Sequence, residues 1–323
     1  MSRRIVYSTH PLHREAVSLL GNAAELRIAS AFDGGTLDRE GRQCDIVIVR
    51  APLPEKLFEG DTRLLAAIRH GAGVDMIPVE AATKAGVLVA NVPGANAATV
   101  AEQVIFSAIA LLRQFRRVDL DLRNKGWLAG RSHAEGGHDL AGRSIGIIGM
   151  GAVGRAVSGL ARAFGCSVAG YSPSGRDFPD GVALLGIDDL MAASDIAMVC
   201  CPLKPETRGL IDRDRLALMK RGSLLINVSR GPVVVEEALI EALRSGRLGG
   251  AALDVFDVQP LPAGHALFTF DNIILTAHMA GITQESMGRM GVGAIAEALR
   301  VLGGELPVNL INPQAVARYR ARA

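Results

Sequence analysis

A run of small and branched residues, Ile145-Gly146-Ile147-Ile148, leads directly into Gly149-Met150-Gly151-Ala152-Val153-Gly154, and an Ala-rich stretch, Arg155 to Phe164, follows. No other feature restricts the fold so sharply. Gly149 permits a tight turn, Gly151 lets backbone approach a pyrophosphate, and Gly154 lets a helix pack closely on the preceding strand. The N–H groups of Ala152 and Val153 then face phosphate at the positive end of that helix. The glycine spacing alone is a weak signal. Between a buried strand and a helix it points to a nicotinamide dinucleotide held by a βαβ unit.

The end of the next strand bears on which dinucleotide. A carboxylate about 20 residues beyond the turn grips the adenosine ribose 2′-OH and favours NAD. Here Val168-Ala169-Gly170-Tyr171 is followed by Ser172-Pro173-Ser174-Gly175-Arg176, and no acid occurs before Asp177. Ser172, Ser174 and Arg176 suit a 2′-phosphate, so NADP(H) is the favoured cofactor. The alternative is a polar surface turn with NAD(H) held elsewhere.

Strand and helix patterns alternate along the whole chain, as in α/β proteins with parallel sheets. Ile5-Val6-Tyr7, Asp45 to Arg50, Leu64 to Arg69 and Gly86 to Ala90 read as strands of a first unit, with a helix over Pro11 to Leu20. Apolar residues at helical spacing predict one long helix over Ala98 to Arg116. A second unit starts at Ser144. Its further strands are expected at Ser167–Tyr171, Ile196–Cys201, Ser223–Val228, Gly250–Val255 and Asn272–Thr276. A helical tail, Ser286 to Leu302, is expected to return to the first unit. The expected domains are thus 1–97 with 287–323, for substrate, and 98–286, for the dinucleotide, with a cleft between two lobes.

Composition agrees with that reading. Of 323 residues 49% are hydrophobic but only 4% aromatic, so Ala, Val, Leu and Ile must build the core. A net charge of +2 gives no pull toward nucleic acid or an anionic membrane. Arg318, Arg320 and Arg322 are expected to be solvated. Cys44, Cys166, Cys200 and Cys201 form no C-x-x-C pair and no metal-ligand spacing with histidine, so no metal is expected. No stretch suits a signal peptide or membrane span, and a cytoplasmic location is the expectation.

Further motifs carry a family resemblance over nearly the whole chain. They are His70-Gly71-Ala72-Gly73-Val74-Asp75, Val100-Ala101-Glu102, the glycine turn, and Cys201 to Ile211. Asn227-Val228-Ser229-Arg230-Gly231, Ala252-Leu253-Asp254-Val255-Phe256 and Thr276-Ala277-His278 complete the set. Together they resemble the D-isomer-specific 2-hydroxyacid dehydrogenases. The resemblance implies a flavodoxin-like substrate lobe, a Rossmann cofactor lobe, an interlobe site, a homodimer built on the cofactor lobe, and hydride exchange with a small 2-oxo or 2-hydroxy acid.

The same resemblance assigns roles. Arg230 would hold the carboxylate and carbonyl oxygen with its guanidinium fork. His278 would exchange a proton with that oxygen. The backbone of Ala72, Gly73 and Val74 would hold the other side of the carboxylate. Cys201, Pro202, Thr207, Val228 and Ala280 would line the cofactor, with Asp254 at its carboxamide. Arg50 would meet a distal acidic group or remain a solvated strand end, and Asn96 stands at a position shared with formate dehydrogenases. Cys200 occupies a position where many relatives carry a histidine.

One departure concerns the proton. The family glutamate lies five residues after the Asp254 position, where this chain has Gln259. An amide can orient His278 by accepting from its ring N–H but cannot stabilise imidazolium by charge. Asp257 is a substitute by sequence proximity. Formate dehydrogenases also pair glutamine with histidine, so formate-type hydride transfer is one alternative, and a dinucleotide-dependent regulatory binding protein is another.

Overall fold

A computed structural model describes residues 3–60, 62–175 and 178–322. The chain divides into two compact units, Met1–Asn96 with Ile282–Ala323, and Ala97–Gly281.

The first unit is built on β1 (Ile5–Ser8), β2 (Glu25–Ile28), β3 (Ile46–Val49), β4 (Ala66–Arg69) and β5 (Leu88–Ala90). Their order is β2-β1-β3-β4-β5 and every pair is parallel. Side chains alternate across a strand, which gives each face its own core. In β3, Val47 and Val49 join Tyr7, Leu57 and Val89 on one face, while Ile46 and Ile48 join Ala294, Ile295 and Ala298 on the other. Each fully buried Ile or Val contributes about 1.5–3 kcal/mol relative to exposure. Strand β2 is not announced by alternation, because it is an edge strand carrying Glu25 and Arg27.

The second unit holds β6 (Ser144–Ile148), β7 (Ser167–Tyr171), β8 (Ala183–Leu184), β9 (Ile196–Val199), β10 (Ser223–Asn227), β11 (Leu248–Leu253) and β12 (Ile273–Leu275). The order is β12-β11-β10-β9-β6-β7-β8, parallel throughout. Again β9 splits between two cores, Ala197 and Val199 on one face, Ile196 and Met198 on the other. The sheets thus have the flavodoxin-like and Rossmann strand orders.

Three expectations change. The helix predicted over Ala98 to Arg116 is two, Ala97–Leu112 and Phe115–Lys125, broken at Gln114 with φ of 50°. The apolar spacing stops at Leu112, and Gln114 Nε2 instead donates to the Gly136 carbonyl at 2.9 Å. The helical tail begins earlier, at Gln284, because the Thr283 hydroxyl caps the Ser286 N–H at 3.2 Å. The C-terminal arginines are not all solvated. Arg322 donates to the carbonyls of Ala85, Thr62 and Leu64. Among the described residues, no helix is long and apolar enough to cross a membrane.

Candidate active site

The glycine turn joins β6 to the helix Ala152–Ala163. Gly149 has φ of 106°, a conformation that L side chains rarely adopt, and a Cβ there would lie 2.6 Å from the Cys201 nitrogen. At Gly154 a Cβ would collide with the Gly149 carbonyl. Gly151 differs: a Cβ there would meet nothing within 4 Å. Nothing among the described residues demands a glycine at 151, and among them the space over it is open. The N–H groups of Ala152 and Val153 donate to no group among the described residues. An open cradle with spare donors at a helix N-terminus fits a dinucleotide pyrophosphate.

Ser172 and Ser174 follow β7 and their hydroxyl oxygens lie 3.2 Å apart. Arg176, their expected partner, lies outside the described residues. The Cys200 thiol donates to the Gly149 carbonyl at 2.8 Å, and burial pushes its pKa up. It therefore braces the turn as a neutral thiol. Cys201 is buried, and Val228 half-buried. The Thr207 hydroxyl donates to Pro202 at 2.7 Å and accepts from the Lys204 N–H at 2.8 Å, so it shapes its own loop.

Arg230, Asp254 and His278 stand just past the C-terminal ends of three neighbouring strands, β10, β11 and β12. The turn before Arg230 is clamped by Asn227, whose Oδ1 accepts from the Ser229 N–H at 3.0 Å while Nδ2 donates to the Arg230 carbonyl at 3.1 Å. The Arg230 guanidinium donates to the Ser229 carbonyl at 2.6 Å.

His278 has φ of 53°, unusual for a residue with a Cβ. Asp254, 4% exposed, explains how it is held. Its Oδ1 accepts from the Thr276 hydroxyl at 2.6 Å and the Met279 N–H at 2.8 Å, and its Oδ2 from the Ala280 N–H at 2.9 Å. The His278 N–H donates to the Asp254 carbonyl at 2.8 Å. One buried carboxylate thus pins the turn on both sides of the imidazole. Sequence reading placed Asp254 toward the cofactor and missed this clamp, because its partners lie more than 20 residues away.

Gln259 reverses the expected hydrogen bond. Its Oε1 accepts from the Phe256 N–H at 3.2 Å, which leaves Nε2 facing His278 Nδ1 at 3.1 Å. The amide donates to the ring rather than accepting from it. In the neutral ring the proton then sits on Nε2, and imidazolium would bring Nδ1–H against an N–H donor. Burial raises the pKa of Asp257, Arg208 lowers it and Glu237 raises it.

In the first unit, Arg50 follows β3, and its Nη1 donates to the Pro11 carbonyl at 2.8 Å. No carboxylate pairs with it among the described residues. The carbonyls of Ala72 and Gly73 are tied by Asn91 Nδ2 at 2.6 Å and Arg69 Nε at 3.0 Å. The N–H groups of Ala72, Gly73 and Val74 donate to no group among the described residues, an arrangement suited to an anion. Asn96 is half-buried, immediately before the helix Ala97–Leu112.

Residues 105–280 match the family model described as D-isomer specific 2-hydroxyacid dehydrogenase, NAD binding domain. The chain is 34% identical to D-3-phosphoglycerate dehydrogenase of Methanocaldococcus jannaschii over 94% of its length, but spans only 58% of that relative. It is 33% identical to hydroxypyruvate reductase of Thermotoga maritima, covering 94% of this chain and 100% of the relative. The crystal structure of an NADPH-dependent glyoxylate/hydroxypyruvate reductase from Sinorhizobium meliloti, in complex with NADP and malonate, superposes with a TM-score of 0.84. It is 25% identical, covering 97% of this chain and 98% of that one.

Proposed function

The chain belongs to the D-isomer-specific 2-hydroxyacid dehydrogenase family, and on that premise we propose that it transfers hydride between NAD(P)H and a small 2-oxo acid of the glyoxylate, hydroxypyruvate or phosphoglycerate type, with D-stereospecificity. The observation that carries this reading is the placement of Arg230 and His278 past β10 and β12, on either side of β11, in the sheet whose β6 ends in the open glycine cradle. The dinucleotide, when bound, supplies the hydride. NADP(H) is favoured over NAD(H), because Ser172 and Ser174 stand where a carboxylate would select against a 2′-phosphate.

The chain's own groups divide the remaining work. Arg230 orients the acid through a planar fork that matches a carboxylate. The protonated form of His278 gives its Nε2 proton to the carbonyl oxygen, which gains negative charge during reduction, and is left as neutral imidazole. Gln259 disfavours imidazolium, so reduction is expected to weaken as pH rises, earlier than it would with a carboxylate at 259. Arg50, in the first unit, offers a cation to an anionic ligand there. It follows β3 beside β1, where the strand order of the first sheet reverses, the place at which open α/β sheets bind ligands.

The test is nicotinamide absorbance during incubation with a panel of 2-oxo acids and either cofactor. Turnover of glyoxylate or hydroxypyruvate supports the reading; inactivity with all acids at saturating cofactor refutes it. One observation favours a second reading. Formate-type hydride transfer moves no proton to oxygen, so an uncharged glutamine beside His278 costs nothing there. Turnover of formate without turnover of 2-oxo acids would select it.

A homodimer is part of the proposal. The helices Ala97–Leu112, Phe115–Lys125 and Trp127–Arg131 expose Phe106, Leu120, Leu122, Trp127 and Leu128, the last 82% exposed. So much apolar surface on consecutive helices suits burial by a second copy. A cytoplasmic location accords with free thiols at all four cysteines.

A further inference from the structure

The strands that end near Arg230, Asp254 and His278 begin at the floor of a separate cavity. Gly222 precedes β10, Gly249 lies at the start of β11, and Ile273 opens β12, and all three line a space of about 310 Å³. A five-residue strand such as β10 spans roughly 16 Å, so this cavity lies at the opposite edge of the sheet from the catalytic groups. Its volume is at the small end of the roughly 300–1,000 Å³ typical of small-molecule sites.

The groups around this space fall into two sets. One set is the frame, and its polar groups are satisfied. Arg116 Nη1 donates to the Phe270 carbonyl at 2.8 Å, and Gln114 Nε2 donates to the Gly136 carbonyl at 2.9 Å. The other set is polar and partly open to solvent. The Arg117 guanidinium, half-buried, reaches Gln114 Oε1 at only 3.4 Å. The Asp271 carboxylate and the His138 imidazole, both on exposed residues, have no hydrogen-bonding or ionic partner among the described residues. Leu111, Leu224 and Ile273 are apolar residues lining the same space.

We propose that this cavity is an effector site for a small α-amino acid. The carboxylate would go to Arg117 and His138, the ammonium to Asp271, and the side chain to the Leu111, Leu224 and Ile273 wall. Opposite charges around one small cavity favour a zwitterion. A simple anion meets Asp271, and a simple amine meets Arg117. An occupant would contact the first residues of the strands that end near Arg230, Asp254 and His278, which gives it a rigid route to the catalytic edge.

Calorimetric titration of the full chain with the common amino acids tests this directly, and needs no substrate. Saturable binding of one amino acid is expected, with affinity reduced at least about tenfold in both Arg117→Ala and Asp271→Ala, roughly 1.4 kcal/mol each. Both variants should keep the wild-type cofactor affinity, which verifies their fold, and Arg117→Lys should recover part of the binding. Absence of binding at ~10 mM for every amino acid, where affinity falls below about 3 kcal/mol, overturns the proposal. So does binding that survives both alanine variants, or inorganic phosphate binding as tightly as the best amino acid.

Discussion

Gln259 Nε2 lies 3.1 Å from His278 Nδ1, and the direction of that bond is set by a third group, the Phe256 N–H that holds Gln259 Oε1. A residue that sequence reading took as an acceptor for the ring is a donor to it. The proton economy of the site follows from this reversal.

Gln259→Glu should extend reduction to higher pH. A carboxylate accepts Nδ1–H and favours imidazolium, so the folded pKa of His278 rises and the protonated donor persists further into alkaline solution. A rise of one unit corresponds to about 1.4 kcal/mol. The measurement is kcat/KM for a 2-oxo acid against pH in both proteins. Superimposable profiles would mean that another group sets the protonation of His278.

Cofactor choice should follow the end of β7. With NADPH, kcat/KM is expected to exceed that with NADH, and Ser172→Asp should reverse the order by repelling the 2′-phosphate and accepting from a ribose hydroxyl. A wild-type preference for NADH would sink this assignment.

Two glycines of the turn should separate folding from binding. In Gly154→Ala the new Cβ collides with the Gly149 carbonyl, and overpacking of about 1–3 kcal/mol should lower the Tm measured without cofactor. Gly151→Ala meets open space, so its Tm should stay at the wild-type value while the cofactor Kd rises about tenfold, near 1.4 kcal/mol. Equal cofactor affinity in Gly151→Ala and wild type would show that the cradle is not used.

Stability should fall in acid through His70. This imidazole is 2% exposed, its Nε2 has no partner among the described residues, and burial, followed by Arg50 and Arg69, lowers its pKa to about 4. Between that value and the unfolded value near 6.5, the unfolded chain binds more protons, so stability present above about pH 6.5 is lost as pH falls toward 4, by roughly 3 kcal/mol. Urea unfolding of wild type and His70→Gln across that range should show a shallower pH slope in the variant. Identical slopes would place the acid sensitivity elsewhere.

Trp127→Asp together with Leu128→Asp should yield monomers in sedimentation velocity without loss of helix content, since both side chains are exposed in the single chain. A wild-type protein that sediments as a monomer would refute the dimer.

Much of this was open to sequence reading. The strand, glycine turn and helix from Ile145 to Phe164 form a contiguous signal, and local backbone requirements are written in local residues. The parallel sheets followed from short, continuous apolar runs, and Arg230 and His278 from motifs at strand ends. The break at Gln114 was not legible, because Arg113 to Arg117 is compatible with helix. The chain turns there through a bond to Gly136, 22 residues on.

The sequence by itself determined that this chain builds two parallel α/β sheets, that one of them carries a dinucleotide cradle, and that an arginine and a histidine stand at strand ends beside a missing carboxylate. Only the tertiary structure decided which atom of Gln259 faces His278, that Asp254 clamps the histidine turn, and that Arg117, His138 and Asp271 line one cavity at the far edge of the sheet. The physical reason is the same in each case. Residue types set what a side chain can donate or accept, but which partner it meets depends on strands brought side by side from distant parts of the chain.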